Sequence, residues 1–366
     1  MNQGGKAPRG TKNGKPVRTV AAWGGLLVGA AALAGVVATS AAQAQTGADP
    51  APPDCPPEGA AARLAEARRD DGMLSAEQAA DYDRLLREKL RHQQAPAQSA
   101  DGAAVPLVVH VVHAEDGTGD VDDGTVQEQV DVLNKAFAGG FAGADTGFSF
   151  DLRDVTRTAN DAWFEDFTSH ADEARSQLRR GGAETLNLYL VNMGEGVLGQ
   201  ATFPQEYETD AAADGVMVDY RTVPGGSREN YNLGYTAVHE TGHWLGLFHT
   251  FQNGCDRPGD YVDDTPYQRE QSSGCPEGSD TCPQRGADPV HNFMDYSDDP
   301  CLNNFTRGQA RRMAEHWEAF RAGGDAATRL SPPGDPGAPT EPRSPDQAPA
   351  PAPEPAPAPA PEQPAG

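Results

Sequence analysis

Positive charge is scarce in this 366-residue chain. It has 29 lysine and arginine residues against 54 aspartate and glutamate residues, and its formal net charge is −25. A protein this acidic repels phosphate backbones, which argues against nucleic-acid binding. Its carboxylates instead suit hard cations or basic peptides.

Long apolar segments are lacking except near the N-terminus. There, five cationic residues precede an uncharged stretch, 19–44, that is rich in Ala and Gly and ends in Ala42-Gln43-Ala44. This order is typical of a signal peptide over residues 1–44. An uncleaved membrane anchor is the alternative, but the stretch has only three leucines. We expect the mature protein to be secreted and soluble, with no membrane association.

Aromatic residues are absent from the last 36 residues, which hold 14 of the 31 prolines. We expect residues 325–366 to form a disordered, polyproline-II-like tail.

A second polar stretch, 93–104, indicates a domain boundary or a processing site. Just before it, residues 59–93 have a helical pattern, with a capping box formed by Ser75 and Gln78.

Cysteines are few, and most of them are clustered. Cys55 stands alone, and the other four lie close together in the sequence: Cys255, Cys275, Cys282 and Cys301. In an oxidising compartment these four predict two disulfides, and the sequence alone allows three pairings. A zinc site built from the four is the alternative, but their spacing lacks the paired C-x-x-C pattern of a zinc ribbon.

The stretch 105–220 alternates between strand and helix patterns, which predicts a mixed α/β fold. Valine-rich or alternating segments predict strands at 105–113, 148–155, 186–193, 198–203 and 216–220. Apolar residues at helical spacing predict helices at 125–138 and 170–180. His110 and His113 lie in the first strand without a ligand-spaced partner, so we expect both to be structural.

One short stretch, Ala237 to His249 (AVHETGHWLGLFH), carries the chemistry. On a helix, His239 and His243 leave the same face and can share one ion, with Glu240 beside it. Gly246 can adopt a positive φ, end the helix and turn the chain so that His249 becomes a third ligand. Three protein ligands leave the fourth tetrahedral position to water, which is typical of catalytic zinc.

The spacing H-E-x-x-H-x-x-G-x-x-H is the metzincin signature, and the segment NFMDY at 292–296 resembles the metzincin Met-turn. The flanking sequence resembles the pappalysin family of zinc peptidases, and most of all its short microbial, ulilysin-like members. The segments that carry this resemblance are 246–251, 259–266, 280–283, 291–296 and 305–309. The similarity extends over residues 105–321.

The resemblance implies catalytic roles. Glu240 would be the general base, Met294 would form a hydrophobic floor beneath the zinc, and Tyr296 would stabilise the tetrahedral intermediate. A core methionine and a surface tyrosine are the plainer alternatives.

For the segment after His249, the resemblance implies the disulfides Cys255–Cys282 and Cys275–Cys301 and a structural calcium ion. Hard oxygen ligands for calcium are available from Asp260, Asp263 and Asp264. A solvated acidic loop is the alternative.

The fold implied is a metzincin catalytic domain over residues 103–324. Its upper half would be a twisted, mostly parallel sheet with one antiparallel edge strand, and its lower half would be irregular and held by disulfides and calcium. We expect the edge strand to include residues 198–201 and a substrate to add to it as an extended strand. Residues 45–102 would be a helical pro-segment that confers latency.

Two predictions concern specificity and latency. Asp298 and Asp299 follow the Met-turn, where metzincins build the pocket for the side chain after the cut, which predicts a preference for Arg or Lys. The alternative is that both acids point to solvent.

The prediction on latency concerns Cys55. Its thiolate could take the fourth zinc position until cleavage in the linker 93–104 releases it. A stray or intermolecular cysteine is the alternative there.

The function predicted is that of a secreted zinc endopeptidase, made as a latent precursor and acting as a monomer on protein or peptide substrates. An inactive binding module and a zinc hydrolase of non-peptide substrates are the alternatives.

Overall fold

The computed structural model describes residues 74–93 and 103–322. Several predictions fall outside these residues: the signal peptide, Cys55, the first part of the helical stretch 59–93, most of the linker 93–104 and the C-terminal tail. Within the described ranges, no helix combines the length and the hydrophobicity that crossing a membrane requires.

Five strands form one sheet in the spatial order β2-β1-β3-β5-β4. The strands are β1 Ala103–His113, β2 Phe148–Ala159, β3 Leu186–Val191, β4 Gly199–Ala201 and β5 Val216–Asp219. All neighbouring strands are parallel except β4, which pairs antiparallel with β5 at the edge. The structure therefore has the mostly parallel sheet and the antiparallel edge strand that were predicted.

Helices lie on both faces of the sheet. The α-helices of the described residues are α1 Ala76–Gln93, α2 Asp123–Phe137, α3 Asp161–Glu165, α4 Phe167–Leu178, α5 Tyr235–Trp244 and α6 Arg307–His316, of which α1 packs away from the strands. On one face, α2 and α5 contribute Val130 and Val238 to the main core. On the other, Trp163 of α3 and Phe167 of α4 pack against the sheet. Because both faces are covered, all six residues of β3 are buried, and its sequence is apolar except for Asn187.

Helix α1 begins where its sequence predicts. The Ser75 backbone N–H donates to Gln78 Oε1 at 2.9 Å, and the Gln78 N–H donates to Ser75 Oγ at 3.2 Å. This reciprocal pair is the capping box. A second capping box, between Thr306 and Gln309, begins α6.

Among the elements from β1 onward, the boundaries of two differ from the prediction by three residues or more. β2 continues to Ala159 because it pairs with β1 along its whole length, up to the partners His113 and Ala159. β2 lies at the sheet edge, and its second half carries mostly polar residues. The alternation of apolar and polar residues therefore predicted an end that is too early. Helix α4 begins at Phe167, three residues before the predicted start, because the Asp166 side chain accepts from the Ser169 N–H.

His110 and His113 have structural roles, as expected. The His110 ring is fully buried, with its nitrogens 2.7 Å from Thr156 Oγ1 and 2.9 Å from Asn187 Oδ1. Burial lowers the pKa of His110 to about 4, so the ring is neutral near pH 7. His113 Nδ1 bonds to the carbonyl of Ala114.

The segment between α5 and α6, residues 250–306, is nearly devoid of regular structure. It contains one 3₁₀ turn, Asp299–Cys301, and one isolated bridge between Asn292 and Asn304. Two disulfides cross it, Cys255–Cys282 and Cys275–Cys301, in the pairing that the resemblance implied. These bonds occupy the four cysteines, so the alternative of a zinc site built from them is wrong.

The end of the described chain is fastened beneath α5. A π-helical turn, Trp317–Arg321, follows α6, and Arg321 is fully buried. Its guanidinium pairs with Asp214 at 3.1 Å and lies 3.6 Å from the centre of the Trp244 ring. The C-terminal end of α5 is thereby held in a fixed position.

Candidate metal centre and substrate cleft

Helix α5 carries the first two histidines. All ten of its residues are buried, so the helix runs through the middle of the protein. His239 and His243 are one turn apart, which places their rings on the same face. The sequence therefore brings two imidazoles together by local structure alone.

Gly246 turns the chain directly after α5. Its φ is +93°, in the left-handed region that favours glycine. A Cβ at this position would lie 2.2 Å from Cγ of the His316 ring, so a side chain does not fit. The Leu247 N–H donates to the Gly242 carbonyl at 2.9 Å, which closes the turn and leads the chain back to His249.

The three histidines converge. The Nε2 atoms of His239, His243 and His249 lie 3.1, 3.1 and 3.2 Å from one another. A tetrahedral zinc ion with nitrogens at about 2.0–2.1 Å separates its ligand atoms by about 3.3 Å. Three buried imidazole nitrogens at this separation fit zinc in both chemistry and spacing.

Backbone carbonyls orient two of these rings. His239 Nδ1 lies 2.6 Å from the Phe293 carbonyl, and His243 Nδ1 lies 2.8 Å from the Leu247 carbonyl. A bond of this kind places the proton on Nδ1 and leaves the Nε2 lone pair available to a metal. These bonds to the Phe293 and Leu247 carbonyls are therefore consistent with a metal site formed by the three Nε2 atoms.

Glu240 lies between the metal centre and the edge strand. Its side chain is buried, and it packs directly on the backbone of β4. A Cβ at Gly199 would lie 2.7 Å from Glu240 Cγ and 2.8 Å from its Oε1. Glycine at position 199 thus lets the edge strand approach the carboxylate. The sequence pattern did not single out this contact, because it depends on the tertiary placement of β4.

Met294 and Tyr296 come from the segment below. Met294 is fully buried, and its sulfur fills the space beside Gly242, where a Cβ would lie 2.5 Å away. The Tyr296 ring centre lies 4.8 Å from that of His249 and 5.6 Å from that of His239. The structure therefore places both residues at the histidine cluster.

A cleft opens beside the histidines, and of the two acids predicted to set specificity Asp299 lines it and Asp298 does not. The lining residues are Leu198, Tyr231, Tyr235, Thr236, His239, Glu240, Asp295, Tyr296, Ser297, Asp299 and Leu302. Asp299 is buried, which excludes a solvent-facing position for it, and it accepts from the Leu233 N–H at 2.9 Å. Burial raises the pKa of Asp299 to about 7. Asp298 is half-buried behind the lining and accepts from the Tyr231 hydroxyl at 3.0 Å.

The cleft also contains two polar residues that the sequence pattern did not single out. Asp295 Oδ2 and Ser297 Oγ are buried and make no hydrogen bond of ordinary geometry with the described residues. Both flank Tyr296, so adjacency to the Met-turn was the available signal.

The three acids predicted to bind calcium are not all in one place. Asp260 is buried beside a cavity that Asp263 and Thr265 also line. Asp260 Oδ2 and Thr265 Oγ1 make no hydrogen bond of ordinary geometry with the described residues, and burial raises the pKa of Asp260 to about 8. Asp264 instead accepts from Thr306 Oγ1 at 2.7 Å and from the Gly308 N–H at 2.9 Å, at the start of α6.

Known metalloproteases are similar to this chain in sequence. Residues 182–318 match the peptidase M43 family model, described as Pregnancy-associated plasma protein-A. Extracellular metalloprotease 1 of Coccidioides posadasii (strain C735) is 47% identical over 224 residues, which cover 60% of this chain and 78% of that protein. An extracellular metalloprotease of Arthroderma benhamiae is 40% identical over 273 residues, covering 72% and 96%.

Two solved structures are similar as well. Promirolysin of Tannerella forsythia has a TM-score of 0.57 at 27% identity, covering 67% of this chain and 89% of that one. Mature mirolysin of the same organism, in complex with a cleaved peptide, has a TM-score of 0.53 at 29% identity, covering 60% and 96%. The chain belongs to the M43, or pappalysin, family of metzincin metalloendopeptidases.

Proposed function

We propose that this chain is a secreted zinc endopeptidase that is made as a latent precursor. The observation that carries the proposal is the set of three Nε2 atoms 3.1–3.2 Å apart, with Glu240 placed between them and the edge strand β4. Relatives named extracellular metalloproteases support the location, together with the signal-like sequence over residues 1–44.

His239, His243 and His249 would hold the zinc. A zinc ion held there would supply Lewis-acid chemistry, which activates a water and polarises the carbonyl of the bond to be cut. Glu240 would accept the proton of the attacking water and pass it to the leaving amine. Its burial against Gly199 keeps the carboxylate close to an incoming backbone and restricts it to that direction.

Tyr296 would steady the oxyanion that develops as the carbonyl is attacked. Its ring packs at the edge of the His249 ring, and it lines the cleft. A phenol hydroxyl aimed at a developing negative charge stabilises the transition state more than the ground state.

The substrate would bind as an extended strand along β4. This strand is at the sheet edge and pairs on one side only, with β5. Main-chain hydrogen bonds to such an edge give affinity that does not depend on sequence. Selectivity then comes from the cleft, which would receive the side chain after the cut.

The cleft favours a cationic side chain. Asp299 is its buried acid, and Asp295 and Ser297 add further oxygen atoms. A guanidinium can bond to several oxygens at once, and the partly dry surroundings strengthen such a pair. We therefore propose a preference for Arg, and to a smaller extent Lys, in this position, with Asp299 as its main partner.

Calcium would stabilise the lower segment. Asp260 and Asp263, with the hydroxyl of Thr265, provide hard oxygens around one cavity, which suits calcium. Asp264 is the weakest of the three predicted ligands, because its carboxylate caps α6.

Latency would come from residues 45–102, with the Cys55 thiolate as a ligand to the zinc in the precursor. A thiolate is a soft, anionic ligand that displaces the catalytic water. Purified precursor should gain activity when its thiol is modified, and a Cys55→Ser precursor should be active early and digest itself. A Cys55→Ser precursor as latent as the parent would assign latency to the rest of the segment.

The function itself is tested by casein zymography with and without a zinc chelator, together with the metal content of the purified protein. We expect about one zinc per chain and clearing of casein that the chelator abolishes and added zinc restores. Chelator-resistant clearing, or a well-folded protein that binds no zinc, would contradict the proposal.

A further inference from the structure

Helix α1 packs against the side of the protein that carries the metal-binding turn. Ala79 of α1 clusters with Phe203 and Phe248, and Leu74 and Tyr82 cover the same cluster. Phe203 in turn lies against the His243 ring, with the ring centres 5.3 Å apart. A single layer of side chains therefore separates α1 from the histidines.

A buried ion pair fastens α1 in this position. Asp83 Oδ1 accepts from Arg312 Nη1 at 3.1 Å, and both residues are buried. The guanidinium also lies over the rings of Phe248 and Tyr261, 4.7 and 5.5 Å from their centres. Burial lowers the pKa of Arg312, and the nearby Asp83 carboxylate opposes that shift. Asp83 also pairs with Arg87 on α1, so removing Asp83, rather than Arg312, is the change that leaves a buried charge without its partner.

The same arginine holds the turn between the second and third histidines. Arg312 Nε donates to the Gly246 carbonyl at 3.1 Å. The next carbonyl, that of Leu247, orients His243, and His249 follows two residues later. The position of the Gly246 carbonyl therefore affects two of the three histidines.

We propose that Asp83 and Arg312 are positioning residues for the metal centre. Asp83 fixes the guanidinium of Arg312, and Arg312 fixes the Gly246 carbonyl so that His249 stays at the ligand position. This inference rests on the proposed function, because it assumes that the three histidines hold zinc. It assigns α1 to the working enzyme, although α1 lies within the predicted pro-segment.

The contacts of α1 bear on how the precursor is activated. A cut confined to residues 94–102 would leave α1 bound through its buried contacts. Cys55 lies upstream of α1 in the same chain, so it would stay tethered to the enzyme after such a cut. Separating Cys55 from the enzyme therefore requires a cut between Cys55 and α1.

The test is the zinc affinity of full-length variants, measured by competition with a chelator of known affinity. The background carries Cys55→Ser and Glu240→Ala, which remove the thiol and self-digestion. Asp83→Asn should weaken zinc binding about tenfold, the low end of the loss expected when an outer partner of a metal ligand is removed. Asp81→Asn, which removes an exposed carboxylate from the same helix, should leave the affinity unchanged.

A control variant with a similar loss of stability distinguishes a positioning role of Asp83 from a purely structural one. Val130→Ala, in the core contributed by α2, should lower the melting temperature while leaving the bonds among Asp83, Arg312 and the Gly246 carbonyl in place. The proposal is overturned if Asp83→Asn melts as early as Val130→Ala but binds zinc within about twofold of the background. If Asp83→Asn does not fold, Arg312→Lys is the second variant: it keeps the charge but cannot reach both partners. It should weaken zinc binding similarly, and an unchanged affinity would overturn the proposal.

The route through Arg312 is tested by combining substitutions. Arg312→Met should weaken zinc binding at least as much as Asp83→Asn, and the double variant should lose no more, because Asp83 acts through Arg312. Additive losses would contradict this route. His249→Ala tests the underlying metal site separately: if it binds zinc as tightly as the background, the proposed function fails whatever Asp83 does.

Discussion

The sheet half, residues 103–249, and the lower segment, residues 250–306, are stabilised in different ways. The sheet half is built from paired strands and helices around a continuous apolar core. The lower segment has one 3₁₀ turn and one isolated bridge, and it is held by two disulfides, by the helix-capping carboxylate of Asp264 and by residues such as Phe293 and Phe305 that pack into the main core. The metal centre lies where they meet: the three histidines come from the sheet half, whereas Met294, Tyr296 and Asp299 come from the lower segment.

Because of this difference, the two regions contribute differently to the site. The sheet half can place a ligand set rigidly, because α5 is buried along its whole length. The lower segment shapes the cleft, and its residues Phe293, Met294 and Phe305 also pack into the main core beside the sheet. We therefore expect the ligand geometry to depend mainly on the sheet half and the selectivity mainly on the lower segment.

The largest expected effect comes from the disulfides. Replacing Cys255 and Cys282 by alanine should cost about 3.5 kcal/mol, the loop-closure value for a cross-link of this span. Hydrogen exchange should rise in residues 250–306 and stay slow in β1 and β3. Equal loss of protection in the sheet would show that the two regions unfold as one unit.

Acid should weaken the sheet half through His110. Its folded pKa is about 4, below the ordinary value near 6.5, because the ring is buried. Between these values only the unfolded chain binds the proton. The stabilisation is therefore complete above about pH 6.5 and is lost as the pH falls toward 4, by about 3 kcal/mol. Denaturant titrations from pH 4 to 7 measure it. His110→Gln should flatten the slope, and an unchanged slope would assign it to other groups.

Calcium should stabilise the lower segment specifically. At a hundred times its dissociation constant, a ligand of the folded state adds about 2.7 kcal/mol. Calcium should therefore raise the melting temperature and slow self-digestion, and Asp260→Asn should remove the response. A melting curve indifferent to calcium in the parent protein would contradict the calcium proposal.

The smallest effect concerns selectivity. Asp299→Asn should reduce kcat/KM for substrates with Arg after the cut roughly thirtyfold. This corresponds to about 2 kcal/mol of transition-state stabilisation, because one charged hydrogen-bonded pair is lost. Asp298→Asn is the matched control and should change it little, since Asp298 lies behind the lining and bonds to Tyr231. Peptide-library cleavage read by mass spectrometry measures both. A hydrophobic preference that Asp299→Asn leaves unchanged would refute the idea.

The sequence predicted local features well. Alternation and valine runs located the strands, the Ser75 capping box located the start of α1, and the spacing of three histidines with Gly246 predicted their convergence. Each of these signals is encoded within a few residues, either by backbone geometry or by helical periodicity. Such features are therefore visible without any knowledge of the tertiary fold.

Features that depend on distant residues were not predictable. Asp83 and Arg312 are 229 positions apart, and nothing local marks them as partners. Asp264 caps α6 rather than facing the cavity beside Asp260, a choice set by where α6 begins. In the lower segment, which lacks periodicity, the family resemblance rather than the pattern implied the disulfide pairing.

The central claim is that the histidines hold zinc while Glu240 moves the proton, and Glu240→Gln tests it most directly. Zinc content and proteolysis of the activated parent and variant would be measured side by side. The account predicts about one zinc per chain in both, an unchanged fold, and a rate lower by about 10²–10⁴-fold in the variant. Near-parental proteolysis by a zinc-loaded Glu240→Gln protein would contradict it.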